Sequence, residues 1–113
     1  MELYPRFFES LGKPYLDRVR WVLKDNGLRM PMLCHSPDFT RADAGRRAVE
    51  LDDTRRMIEL TAVLGGGFCR VLSGQNRPGL DPAQAHGWVV ECLTALLPDA
   101  ERHHVVLVME NHY

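Results

Sequence analysis

Val105-Val106-Leu107-Val108-Met109-Glu110-Asn111-His112-Tyr113 is the stretch whose reading decides the fold. Five consecutive apolar residues, three of them Val, run straight into Glu-Asn-His. An unbroken apolar run of this kind predicts a strand buried on both faces, as parallel sheets in α/β proteins require. A carboxylate and an imidazole just past such a strand fall where barrel and doubly wound enzymes place their reacting groups.

Upstream, the pattern alternates strand and helix. Glu2-Leu3-Tyr4 reads as the end of a strand. A first helix is expected from about Tyr15 to Asn26, with Leu16, Val19, Val22 and Leu23 on one face and Gly27 as its stop. Met30 to His35 reads as a strand, weakened at its start by Pro31, and Ser36 to Arg47 as a long exposed loop. A second helix fits Val49 to Leu64, ended by Gly65-Gly66-Gly67, which is a helix stop and not a phosphate cradle because it precedes a strand. Phe68 to Ser73 is the next strand and Gly74 to Leu80 a Gly/Pro-rich loop.

The third helix has the clearest start. Asp81 can cap it, Pro82 is pre-set for the first helical position, and Gln84 completes a capping-box spacing. Ala85, Trp88, Val89, Cys92, Leu93, Leu96 and Leu97 then recur at helical spacing. Pro98 is expected to kink or end it, leaving Asp99 to His103 as a final turn. Strand starts near residues 30, 68 and 105, each separated by a helix, imply parallel neighbours joined by right-handed crossovers. Trp21, Trp88 and Met57 are read as packing residues, and Arg70, inside a strand, points either into a barrel or toward a helix.

The 113 residues allow one small domain, well short of the roughly 250 of a complete (β/α)8 barrel. Charge of -1 gives no electrostatic reason to expect nucleic acid or an anionic membrane. No run approaches the ~18 apolar residues of a membrane span, and the first residues lack the pattern of a signal peptide. Cys34, Cys69 and Cys92 have no metal-ligand spacing and read as buried free thiols, which suits a reducing, cytoplasmic setting.

Several segments resemble one family. Leu64-Gly65 followed by Cys69-Arg70-Val71-Leu72-Ser73-Gly74-Gln75 resembles the "LG…(V)RVxSG" strand of the sugar phosphate isomerase/epimerase superfamily, the xylose isomerase-like TIM barrels. Leu97-Pro98-Asp99-Ala100-Glu101-Arg102-His103-His104-Val105-Val106-Leu107-Val108-Met109-Glu110-Asn111-His112 resembles its "hxxxAExxGVxLxhENH" block, the most specific of the matches. Glu2-Leu3-Tyr4-Pro5 is similar to the family's second strand and Asp38-Phe39 to the "dF" after its third. The resemblance implies an α/β fold, a partial (β/α)8 barrel over residues 1–113 running from strand two to strand five. The first strand and the C-terminal half lie outside the chain. His104 stands where the family commonly has Gly, which would strain the turn into the last strand.

The resemblance implies a metal-dependent sugar or sugar-phosphate isomerase or epimerase that transfers a proton through an enediolate. Glu110 is then the catalytic residue and a ligand to a divalent metal, Mn, Mg or Zn, because hard cations take carboxylate oxygen. Asn111 and His112 resemble residues lining the substrate pocket. His35, after a strand end, can face the same pocket or be an exposed loop histidine; in the related apurinic endonucleases a histidine near this point binds zinc. Gln75 is a further pocket candidate, whereas His86 and the His103-His104 pair read as surface residues. A complete site needs about four ligands, and one carboxylate holds a cation poorly, so the chain alone is not expected to bind metal well or to work as an isomerase. Two other readings remain: a non-enzymatic half-barrel that forms homo-oligomers through its open sheet edges, and an apurinic-endonuclease-like metal hydrolase, which the near-neutral charge disfavours.

Overall fold

A computed structural model describes residues 2–110. Four strands, β1 (Glu2–Leu3), β2 (Met32–Cys34), β3 (Phe68–Leu72) and β4 (Val106–Glu110), form one sheet in the order β1-β2-β3-β4. All three pairings are parallel. The connections carry α1 (Lys13–Asp25), α2 (Ala44–Val63) and α3 (Pro82–Arg102), with a 3-10 turn at Pro5–Phe7. Parallel neighbours joined in sequence order by crossover helices are the repeating unit of a TIM barrel, so the expected α/β partial barrel is the architecture found.

Alternation along the strands sorts the side chains. Leu33, Cys69 and Val71 are completely buried and join Leu16, Leu23, Ile58, Val89, Cys92 and Leu96 in one core between sheet and helices. The neighbours on the other phase, Cys34, Phe68, Arg70, Leu72, Val106, Val108 and Glu110, line the opposite, concave face. The three cysteines are free and buried, as expected.

Several sequence expectations need correction. The second helix starts at Ala44, inside the stretch read as exposed loop, because the Asp43 carboxylate accepts from the backbone N–H groups of Gly45 (2.7 Å) and Arg46 (3.2 Å). A helix rich in Arg and Asp near its start shows little apolar periodicity, and its cap was the overlooked signal. In the rest of that stretch Asp38, Phe39 and Thr40 are buried, while Ser36, Ala42 and Asp43 are exposed as expected. Of the two outcomes expected at Pro98, an end of the helix is not found: α3 runs through Pro98 to Arg102, with the residues from Asp99 forming its final turn as expected. Its last turn is held by buried Ala100 and by Asp99, which receives Arg55 (3.2 Å) and Arg102 (2.5 Å). On α1, Val22 and Trp21 are not core residues; Trp21 is 72% exposed on the side turned away from Leu16 and Leu23.

His104 adopts a positive φ of 55° in the turn between α3 and β4. For an L-residue that conformation costs roughly 1–2 kcal/mol. His104→Gly is therefore expected to stabilise the chain by about 1 kcal/mol, the relief being partly offset by the greater freedom of glycine in the unfolded state. Urea unfolding checks this; a variant no more stable than the parent would show that the His104 side chain makes a compensating contact.

Candidate functional site

The C-terminal ends of the strands carry two polar groupings, one on the concave face and one in the loops. On the concave face, Arg70 projects from the middle of β3. Two positions along, where β4 pairs Glu110 with Leu72, the Glu110 carboxylate comes within 3.3 Å of Arg70 Nη1. The Arg70 side chain is 6% exposed and that of Glu110 51%. The guanidinium also lies 5.7 Å from the centre of the Tyr4 ring, a cation–π distance. Its Nε is buried without a hydrogen-bond partner among the described residues. On the same face the Cys34 thiol points at Glu2 Oε2, 3.7 Å away. Arg70 thus answers the question left open by the sequence: it faces the concave side.

The second grouping ties the loop after β2 to the loop after β3. Asp38 accepts from the Thr40 backbone N–H (3.1 Å) and hydroxyl (2.7 Å), and it is paired with the Arg77 guanidinium. Thr40 Oγ1 in turn accepts from Gln75 N (3.2 Å) and from Arg77 Nη1 (3.0 Å). Phe39, fully buried, donates its N–H to Ser73 O at 3.0 Å. Burial pushes the Asp38 carboxyl up, but the hydrogen bonds from Thr40 and Arg77 outweigh that and hold it below its ordinary value. This network was missed in the sequence, although Asp-x-Thr is a common side-chain-to-backbone turn and could have signalled it.

The predicted site residues fall as follows. Glu110 stands at the C-terminal end of β4 on the concave face. Asn111 and His112 lie outside the described residues. Gln75 is exposed, and its backbone rather than its side chain joins the loop network. The His35 backbone N–H continues the β2–β3 ladder by donating to Arg70 O at 2.9 Å. Its side chain is half-buried; burial lowers its pKa, against the opposing pull of the Asp53 carboxylate on α2. His35 Nε2 has no hydrogen-bond partner among the described residues.

The described residues do not by themselves make a divalent-metal site. Among the described residues no three His, Cys, Asp or Glu side chains come together to hold an ion. The one carboxylate expected to bind it already faces a guanidinium. Glu110 of this chain is arranged as the partner of Arg70.

A parallel sheet wound sequentially with helices on its outer side, and a carboxylate at the C-terminal end of its last strand, define a TIM-barrel type of protein. The family model "xylose isomerase-like TIM barrel" matches residues 1–113, and the chain belongs to that family. No curated protein matches it. Among solved structures, it is similar to protein SMc04130 from Sinorhizobium meliloti 1021, at 27% identity and a TM-score of 0.79, over 96% of this chain and 38% of that one. The fold is also that of a D-psicose 3-epimerase solved in the presence of D-fructose, at 19% identity and a TM-score of 0.82, over 94% of this chain and 39% of the other. A third is the IOLI protein, solved with a bound zinc atom, at 16% identity and a TM-score of 0.79, over 97% and 40%. The chain therefore spans about two fifths of the length of the structures it matches.

Proposed function

We propose that this chain supplies the Glu110 side of a sugar isomerase or epimerase site, in which proton transfer next to a carbonyl passes through an enediolate. The observation that carries this reading is the position of Glu110: concave face, C-terminal strand end, in a family whose solved folds include sugar epimerases. A carboxylate there can accept a proton from a carbon held in the barrel mouth, and Arg70 beside it fixes where that carboxylate points. The substrate is a free sugar or a sugar phosphate, with no role for nucleic acid or membrane. No described helix is long and apolar enough to cross a membrane, and the buried free thiols support a cytoplasmic setting. Asn111 and His112, next along the chain, are assigned to the same pocket, with His35 and Gln75 at its rim.

A metal enters this reading only through the whole barrel. Glu110 would be one of its ligands, and the remaining donors would come from elements beyond β4. By itself the chain is inactive on sugars in this proposal, because the donors and half of the pocket wall are not among its residues. The test is to put residues 1–113 in place of the corresponding segment of a D-psicose 3-epimerase, keeping that enzyme's own first strand and its strands six to eight, and measure epimerisation of D-fructose with Mn²⁺. Turnover is expected in the chimaera and absent from the chain alone. Glu110→Gln should lower kcat by a factor of about 10² to 10⁴, the usual worth of a positioned acid–base group. A chimaera whose turnover is unchanged by Glu110→Gln would sink the assignment.

A further inference from the structure

Besides the side that it buries, α1 has two flanks. One faces β1; the other carries Asp17, Arg20, Trp21 and Lys24 toward α2. Between that second flank and the last turn of α2 lies a cavity of about 1020 Å³, bounded at one end by the loop that leads from α1 into β2. Leu28 and Arg29 of the loop and Val63 of α2 line it together with Arg20, Trp21 and Lys24. These six residues come from consecutive elements, α1, the loop and α2, and belong neither to an edge strand nor to the concave face of the sheet.

Trp21 leaves one of the two largest rings of the chain in water, at 72% exposure. Trp88, by contrast, has the Arg47 guanidinium over its ring at 4.6 Å. No ring or cation covers Trp21 among the described residues. Leu28 and Val63, both exposed, extend the apolar lining beside it.

The polar rim of the same cavity is cationic. Arg20 and Lys24 stand one turn apart on α1, and the only carboxylate in the lining, Asp17, is bonded by Lys13 at 2.8 Å and lies 4.0 Å from Arg20. The rim is therefore positive even before Arg29 is counted, in a chain whose net charge is -1. The helix dipole accounts for Lys24 in the last turn of α1. It does not account for Arg20 a turn earlier, or for an arginine of the following loop on the same cavity.

We propose that this cavity binds a nucleoside phosphate, with its base stacked on Trp21 and its phosphates against Arg20 and Lys24. A bare phosphate would leave the indole in water, and an uncharged ring would leave the cations without a counter-charge. Bases stack on any exposed aromatic face, and small-molecule pockets of about 300–1,000 Å³ pair apolar walls with a few polar groups in this way. The cavity adjoins the N-terminal ends of β2 and β3, whereas Glu110 stands at the C-terminal end of β4. That end of a barrel serves stability and not chemistry, so the nucleotide is a ligand of the fold and not a reactant. The site stands whether or not Glu110 performs sugar chemistry.

Calorimetric titration of the 113-residue chain with ADP tests it, beside adenosine and inorganic diphosphate as the two halves of the ligand. ADP is expected to bind at least about tenfold more tightly than either half. Trp21→Ala and Lys24→Glu, both at exposed positions, should each weaken ADP by about tenfold or more with unchanged circular dichroism. Arg46→Glu, the same charge reversal at the other end of α2, should leave the affinity within about twofold. No binding at millimolar ADP, diphosphate held as tightly as ADP, or an affinity indifferent to Trp21→Ala would each overturn the site. Equal weakening by Lys24→Glu and Arg46→Glu would overturn it too, because the attraction would then belong to the whole surface and not to the cavity.

Discussion

Gly74→Ala is expected to destabilise the chain by about 3 kcal/mol, and by more than any other single methyl added to its loops. Gly74 has a φ of 152°, a conformation that residues with a side chain rarely adopt. A Cβ there would lie 2.5 Å from Thr40 Oγ1, 2.6 Å from Asp38 Oδ1 and 2.7 Å from Thr40 Cγ2. None of these atoms is the loose end of a flexible chain. Asp38 and Thr40 are both buried and hold each other, Gln75 and Arg77 in place. The new methyl must therefore either be accommodated with backbone strain, at roughly 1–3 kcal/mol, or part a charge-assisted hydrogen bond worth about 1.5–3 kcal/mol. Gly67→Ala is the control, since a Cβ at Gly67 meets nothing within 4 Å and its φ is not positive. It should cost less than about 1 kcal/mol. Urea unfolding of the pair gives the difference directly; equal costs would mean that the Asp38–Thr40–Arg77 network is not what Gly74 protects. The acid side offers a second readout. Because the folded-state pKa of Asp38 lies below its ordinary 3.8, its contribution is complete above that value and is lost as pH falls through the lowered one. In Gly74→Ala, with the network parted, the loss of stability below pH 4 should be shallower than in the parent.

The sequence made the strand-and-helix order legible because each element carried its own local signal. Asp81 and Pro82 started α3 where expected, Gly65 with a φ of 84° stopped α2 as a glycine should, and the Val-rich run became β4. What it hid was of two kinds. The start of α2 is encoded by a cap, Asp43, within a charged segment whose polar residues imitate a loop. The loop network depends on Asp38 and Arg77, 39 positions apart, and no periodicity joins residues at that separation. The site was legible in the same partial way. Glu110 could be placed at a strand end from the apolar run before it, but its pairing with Arg70 is a cross-strand relation that exists only once β3 and β4 are in register. Val22 and Trp21 fail for a related reason. A helix face is core only where something covers it, and among the described residues Trp21 and Val22 stay 72% and 59% exposed.

That cross-strand pair leads to the second large effect, an asymmetry between its two members. Glu110→Ala is expected to cost about 2 kcal/mol, whereas Arg70→Met should cost no more than about 1 kcal/mol. Breaking a wholly buried ion pair by deleting one partner costs about 3–5 kcal/mol, because a charge is left uncompensated in the interior. Here only Arg70 is buried, and Glu110 reaches water over half its surface, so the figure for losing Glu110 is scaled down. The guanidinium left behind would keep the Tyr4 ring, while its Nε has no partner among the described residues even with Glu110 in place. Arg70→Met instead removes the buried charge along with its desolvation cost and fills similar volume with an apolar chain. The double variant should then be about as stable as Arg70→Met alone, since no buried charge remains for Glu110 to compensate. Unfolding of the four proteins measures the cycle. If Arg70→Met proves the costlier single change, the guanidinium holds the sheet together by packing, and its contact with Glu110 is incidental. If Glu110→Ala is costlier, the carboxylate at the strand end is needed by the fold as a counter-charge to Arg70.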